Sequence, residues 1–177
     1  MIGVAVLCVL LITYFNFRSA GQQRENFTER VGDGQTLYEY TYPSYFQEED
    51  ISPHGLAQQE PAGVAILLWA SWSDRSVEAL EELQRLAGQL SEASESQTGL
   101  HILAAAIKDG EDFIEEIREQ TADGKRVHFV KGDEIYNELR LPGLPAVVVF
   151  DAEGTLFGAR YGYSSAEDFG FIKRLNE

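Results

Sequence analysis

The segment Trp69–Ser76, with the sequence Trp-Ala-Ser-Trp-Ser-Asp-Arg-Ser, joins two different hydrophobic patterns. It begins at the end of Val64–Ala70, a short apolar run that is typical of a buried strand in a parallel sheet. It continues into Asp74–Leu90, where apolar residues recur at helical spacing and acidic residues occupy the opposite face. The segment therefore predicts a turn from a central strand into an amphipathic helix.

The rest of the chain alternates between predicted strands and predicted helices. A first strand is predicted at Thr36–Tyr42, where Leu37 and Glu39 alternate with tyrosines. Asp151–Gly154 predicts a tight turn with Gly154 at the position that needs a positive φ. Further strands are predicted at His101–Ile107, Val127–Val130, Pro145–Phe150 and Thr155–Tyr161, and helices at Asp112–Gln120 (with Phe113, Ile114 and Ile117 inward), Glu134–Leu139 and Ser165–Leu175. This order predicts an α/β fold with a mixed central sheet covered by helices on both faces.

The N-terminal segment predicts a membrane anchor. Met1–Phe15 contains no charged side chain, and Arg18 is the first charged residue of the sequence. About 17 residues is the lower limit for a spanning helix and is also close to the length of a signal-peptide core. Signal-peptide cleavage after Ala20 is disfavoured, because an A-x-A site needs a small residue at the third position before the cut and Arg18 occupies that position. We therefore predict a transmembrane anchor, or an uncleaved signal, over residues 1–18.

Two further regions follow the anchor. Ser19–Gly34 is polar, contains glycine and lacks hydrophobic periodicity, which predicts a tether over residues 19–35. Residues 36–177 form the predicted globular domain. The orientation of the anchor stays open from charge alone, since the first arginines follow the apolar segment and no lysine or arginine precedes it.

The charge balance disfavours whole classes of partner. The sequence has 14 Lys and Arg against 29 Asp and Glu, a formal net charge of −15. A field of this sign repels phosphate backbones and anionic lipid headgroups, so we expect no nucleic-acid partner.

The single cysteine limits the redox chemistry. Cys8 lies inside the apolar N-terminal segment and is the only cysteine in the sequence, so one chain cannot form a disulfide or a dithiol cycle. No metal site is predicted, because no His or Asp pair has ligand spacing on a shared face. We expect no cofactor.

Four features, in their order along the chain, together carry a family resemblance. They are the apolar strand ending in Trp69–Trp72, the helix that begins after it, Leu141–Pro145 (Leu-Pro-Gly-Leu-Pro) before a strand, and Asp151–Gly154 between the last two strands. From about Thr36 to Leu175 the chain resembles TlpA/ResA-type thioredoxin-fold domains, which are membrane-tethered thiol-disulfide oxidoreductases. The resemblance implies a thioredoxin-like fold on the extracytoplasmic side of a single-pass anchor.

The resemblance also implies where the chemistry would lie. In that family a C-x-x-C pair opens the helix: the helix N-terminus acidifies the first thiol, which attacks a disulfide, and the second thiol resolves the mixed disulfide. The corresponding positions here are Ser73 and Ser76, and a serine hydroxyl cannot form a disulfide. We therefore expect no catalytic residue, with Ser73 serving as a helix N-cap and Ser76 as a small polar residue.

Three explanations of the two serines stay open. The first is natural loss of the cysteines, which leaves a redox-inactive protein. The second is a thiol-disulfide oxidoreductase whose cysteines have been replaced by serine through engineering. The third is a different use of Ser73, which would need an adjacent base, and none of His54, His101 and His128 is near it in sequence.

The family's substrate-facing loop supplies the predicted binding face. Leu144–Pro145 corresponds to the family's cis-proline, so we expect a cis peptide bond there and a surface that binds an extended peptide. The predicted binding residues are Trp72, Ser73, Leu144 and Pro145, with Trp72 exposed and Trp69 in the core. The predicted function is a membrane-anchored, redox-inactive protein that binds a protein partner, as an accessory or assembly subunit of a membrane complex.

Overall fold

The computed structural model describes residues 22–23, 25–58, 63–93, 99–121 and 126–176. The predicted anchor over residues 1–18 lies outside these ranges. Within them, no helix has the length and apolar character needed to span a bilayer.

The centre of the domain is a mixed five-stranded sheet. Its strands are β1 (Val64–Trp69), β2 (His101–Ala106), β3 (Val127–Lys131), β4 (Ala146–Phe150) and β5 (Leu156–Tyr161). The spatial order is β3-β2-β1-β4-β5. β1 and β3 pair parallel with β2, whereas β4 pairs antiparallel with both β1 and β5. Gly154, in the turn before β5, has a φ of 79°, as the sequence predicts.

Helices cover both faces of this sheet. They are α1 (residues 22–23 and 25–31), α2 (Gln35–Glu39), α3 (Pro53–Ala57), α4 (Asp74–Ala93), α5 (Glu111–Gln120), α6 (Asp133–Leu139) and a C-terminal 3-10 helix (Ala166–Asn176). The last element is wound more tightly than the α-helix predicted there. The mixed sheet with helices on both faces is confirmed.

The alternation of side chains along β1 divides the core into two layers. Ile66 and Leu68 point to one face and Leu67 and Trp69 to the other, and all four are fully buried. The first layer includes α2, α3 and α6 residues, among them Leu37, Leu56 and Ile135. The second includes residues of α4, α5 and the 3-10 helix, among them Leu83, Ile114 and Phe169. Burial of such apolar side chains stabilises the fold by about 1.5–3 kcal/mol each.

The strand predicted at Thr36–Tyr42 is wrong, because most of this segment is helix α2. The adjacent residues Leu37 and Tyr38 are both buried in the same core layer. A strand would point them to opposite faces, whereas a helix brings both to the sheet. Tertiary burial therefore overrides the β-propensity of the tyrosines. Only Tyr42 makes a strand-like bridge, with Ile51.

The structure also differs from the tether predicted over residues 19–35. Residues 22–23 and 25–31 form α1, and Phe27 and Val31 are buried in the core. The Phe27 ring lies 5.9 Å from the Tyr161 ring between centroids, and Arg30 donates hydrogen bonds to the carbonyls of Leu139 and Arg140 at the end of α6. Two apolar residues at helical spacing, together with Arg30, therefore dock this polar segment against the domain.

Candidate functional site

The two family positions lie at the start of α4, as the sequence predicts. The Ser73 carbonyl accepts hydrogen bonds from the amides of Ser76 and Val77, at 2.8 and 3.1 Å. Ser73 is thus the residue directly before the helix, and it is half-buried. A side chain at this position faces the unpaired amides of the first helical turn, where negative charge is stabilised.

Ser76 occupies an unusual place for a hydroxyl. Its side chain is fully buried, and its Oγ atom has no hydrogen-bond partner among the residues that the structure describes. An unpaired buried hydroxyl costs about 1–3 kcal/mol in lost hydration. A thiol behaves as a small hydrophobe with weak hydrogen bonding, so this environment suits cysteine better than serine.

Removing that hydroxyl should therefore stabilise the domain. We expect Ser76→Ala to raise the free energy of unfolding by about 1 kcal/mol, because the unpaired polar group is gone and little volume is lost. The matched control is Ser44→Ala. The Ser44 hydroxyl accepts hydrogen bonds from the amides of Phe46 and Gln47, so its loss should cost about 1 kcal/mol. Denaturant unfolding measures both values, and equal destabilisation by the two variants would contradict this assignment.

Trp72 projects from a turn that the next loop holds in place. The Asp109 carboxylate accepts hydrogen bonds from the Ser71 amide at 2.8 Å and the Ser71 hydroxyl at 2.5 Å. The Tyr45 hydroxyl donates to the Asp109 carbonyl at 3.3 Å. Burial and the nearby Asp109 charge raise the pKa of Tyr45 to about 12, so it stays a donor at neutral pH. Trp72 itself is 66% exposed, whereas Trp69 is buried, as predicted.

The Leu144–Pro145 peptide bond is cis, which confirms the sequence prediction. Leu144 is half-buried and Pro145 is buried. Both line a cleft of about 200 Å³, here called the Leu144–Pro145 cleft, together with Arg75, Tyr161, Gly162, Tyr163, Ser164 and Asp168. The Arg75 guanidinium donates to the Tyr163 carbonyl at 2.8 Å and so ties the first turn of α4 to this cleft.

The four predicted binding residues do not share one cavity. Leu144 and Pro145 line the cleft just described, whereas Trp72 lines a second cavity on the side of α5. Ser73 lines neither. Sequence reasoning misses two residues here. It assigns no role to Arg75, and it predicts that Phe113 points inward, whereas Phe113 is 62% exposed.

None of the three histidines is placed to serve as a base for Ser73. His101 begins β2, and β1 and β2 run parallel, so His101 lies at the end of the sheet opposite to Ser73. His128 lies in β3, opposite Leu103 of β2. His54 lies in α3, whose buried residues belong to the core layer on the other face from α4. Among the described residues, no group of three or more His, Cys, Asp or Glu is placed to hold a metal ion.

Comparison with known proteins identifies the fold. No protein-family model and no curated sequence matches the chain. Solved structures do match it. A secreted thiol-disulfide isomerase from Corynebacterium glutamicum has a TM-score of 0.59 at 15% identity, over 78% of this chain and 84% of that one. StoA from Bacillus subtilis has a TM-score of 0.52 at 16% identity, over 78% and 96%.

A thiol:disulfide interchange protein of the thioredoxin family from Chlorobium tepidum TLS gives a similar result. Its TM-score is 0.57 at 14% identity, over 78% of this chain and 93% of that one. At these identities the likeness concerns the fold. The chain has the thioredoxin-like α/β fold of thiol:disulfide interchange proteins, as the sequence resemblance implied.

Proposed function

We propose that this chain is a membrane-anchored, redox-inactive thioredoxin-fold protein that binds a protein partner, as an accessory or assembly subunit of a membrane complex. One observation carries the proposal: Ser73 and Ser76 stand at the start of α4, and the only cysteine of the sequence is Cys8. Thiol-disulfide exchange needs two thiols that reach each other, and one chain supplies only one.

The surface around the lost dithiol supports a binding role. The Leu144–Pro145 cleft combines an apolar side chain with the rings of Tyr161 and Tyr163. Aromatic side chains are enriched where proteins bind one another, because they supply large contact areas at low entropic cost. The cleft does not depend on sulfur, so it remains available for a partner after the cysteines are lost.

The position of α1 supports an anchored arrangement. Phe27 and Thr28 of α1 line a cavity of about 650 Å³ with Tyr161, Ser164 and Asp168, three residues that also line the Leu144–Pro145 cleft. Eight residues lie between Arg18 and Phe27, and because residues 22–23 and 25–26 are helical, the link is shorter than the about 30 Å that a fully extended segment would span. An anchor over residues 1–18 would therefore hold the cleft close to the membrane, on its extracytoplasmic side.

The second candidate is a thiol-disulfide oxidoreductase in which serine has replaced both cysteines by engineering. The buried, unpaired hydroxyl of Ser76 favours it, because a thiol suits that position better. The parental gene distinguishes the two candidates: cysteine codons at positions 73 and 76 would establish the enzyme, and serine codons the redox-inactive protein.

Photo-crosslinking from the cleft tests the binding role. A photoreactive amino acid placed at Leu144 of the full chain, in its native membrane, should give one discrete adduct with a protein that mass spectrometry identifies. The matched control places the same group at Glu138, an exposed residue of α6. Equal adducts from both positions, or none from Leu144, would contradict a binding role for the cleft.

Carbonate extraction tests the anchor. The full chain should stay in the membrane fraction, whereas a chain that lacks residues 1–18 should be released into the supernatant, because the uncharged run Met1–Phe15 has been removed. A mature protein that begins near Gly21 would show instead that the apolar segment is a cleaved signal.

A further inference from the structure

A second concave surface lies next to the turn before α4, on the side of α5. The rings of Trp72 and Phe113 are 66% and 62% exposed, and both line one groove of about 420 Å³ with Val77, Glu116 and Ile117. We call this the Trp72–Phe113 groove. Exposed aromatic residues that flank a concave apolar surface mark sites of protein recognition.

The walls of the groove are held rigidly. The loop from β2 to α5 is fixed by a hydrogen bond from the Ile107 amide to the Trp69 carbonyl at 2.9 Å and one from the Lys108 amide to Asp133 Oδ1 at 2.9 Å. The Asp109 carboxylate holds the turn that carries Trp72, as described above. A preformed surface binds with less loss of entropy than a mobile one.

The surroundings of the groove are strongly acidic. Helix α5 carries five carboxylates (Glu111, Asp112, Glu115, Glu116 and Glu119) and one cation, Arg118. Arg118 pairs with Glu115 at 2.5 Å, and no other ion pair involves α5 within the described part of the chain. Lys108 is the one basic residue that lines the groove. The groove therefore presents an apolar floor beside an excess of negative charge.

From this combination we propose that the Trp72–Phe113 groove binds a segment of a protein partner that carries a large apolar side chain flanked by Lys or Arg. The apolar side chain packs between the two aromatic rings, and its basic neighbours face Glu116, the α5 carboxylate that lines the groove. A second copy of the chain is a poor occupant, because it brings another −15 of charge. The inference rests on the proposed partner binding and names the chemistry of the partner.

Three labelled hexapeptides test this recognition by fluorescence anisotropy against the full chain in a non-ionic detergent. The first has the sequence Lys-Arg-Phe-Leu-Arg-Lys, the second replaces Phe-Leu by Ser-Ser, and the third replaces every basic residue by Glu. The first should bind about tenfold more tightly than either of the others, a ratio that corresponds to one apolar anchor or a few charge contacts. Equal binding of the first two peptides would overturn the proposal, and detergent micelles alone give the blank.

Variants locate the binding on the surface. Phe113→Ser and Glu116→Lys should each weaken binding of the first peptide about fivefold or more. The first substitution removes an aromatic contact with the apolar side chain, and the second removes a carboxylate that faces the basic residues. Glu138→Lys, which makes the same charge change on the exposed side of α6, should leave binding unchanged. No effect of Phe113→Ser, or a change of oligomeric state on that substitution, would overturn the proposal.

The two functional claims fail separately. If the unaltered chain gives the Leu144 crosslink but shows no preference for the first peptide, partner binding stands and the groove assignment falls. If peptide recognition persists when the Leu144 crosslink is absent, the groove binds and the Leu144–Pro145 cleft does not.

Discussion

A chain that carries Ser73→Cys and Ser76→Cys, in a Cys8→Ser background, should reduce the disulfides of insulin with measurable turnover. Position 73 lies directly before α4, where unpaired amides and the helix dipole stabilise a thiolate. Position 76 is buried without a polar partner, so a thiol fits there. The expected change is from no exchange to catalytic exchange, the largest effect that two substitutions in this chain should produce.

The acidity of the new thiols provides a sharper readout. The thiol at position 73 should titrate below the ordinary cysteine pKa of about 8.5, while burial should raise the pKa of the thiol at position 76. The single variants Ser73→Cys and Ser76→Cys, in the same Cys8→Ser background, serve as controls and should give no turnover, because each then contains only one thiol. A folded double variant whose thiol at position 73 titrates at about 8.5 would contradict the placement of the helix N-terminus.

Lowering the pH should destabilise the domain through His128. This side chain lies in β3, and its ring nitrogen is 3.1 Å from that of His101. Burial, and secondarily the charge of His101, lower the pKa of His128 from 6.5 to about 4. The unfolded chain therefore binds a proton in a pH range where the folded chain does not, and stability falls as the pH drops.

The size and range of this effect follow from the two pKa values. The contribution is fully present above about pH 6.5 and is lost progressively down to about pH 4, for a total of about 3 kcal/mol. Between pH 7 and 4.5, the unaltered chain should lose roughly 2–3 kcal/mol more stability than His128→Gln does, as measured by urea unfolding. His54→Gln, at an exposed histidine, controls for titration elsewhere. Identical pH profiles of the chain and His128→Gln would show that His128 titrates normally when folded.

Much of the sheet and its main helix could be predicted from the sequence, because their patterns are strong. Val64–Trp69 is apolar throughout, since β1 lies in the middle of the sheet and is covered on both faces. In α4, which follows β1, apolar residues recur at helical spacing because one face of the helix is buried. At the N-terminus the signals are weaker: α1 docks through few apolar residues, and the alternating tyrosines near α2 resemble a strand. The buried faces of α1 and α2 depend on their contacts with sheet residues that are distant in sequence, so local patterns do not predict them.

The candidate site was predictable only in part. The positions of Ser73 and Pro145 follow from motifs, and the structure places both as expected. Phe113 was expected to point inward because Phe113, Ile114 and Ile117 are all apolar. Only Ile114 of these three is fully buried, since a short helix on the sheet buries a narrow stripe. The hydrogen bonds from Ser71 to Asp109 join residues 38 positions apart, a contact that no local pattern reports.

Insulin reduction by the unaltered full chain tests the central claim most directly. With dithiothreitol as the electron source, the chain and its Cys8→Ser variant should both leave the rate at the level of the reductant alone, because neither contains two thiols. The double-cysteine variant provides the positive control in the same assay. Turnover by the Cys8→Ser chain would contradict the account, since disulfide exchange would then proceed without any cysteine in the sequence.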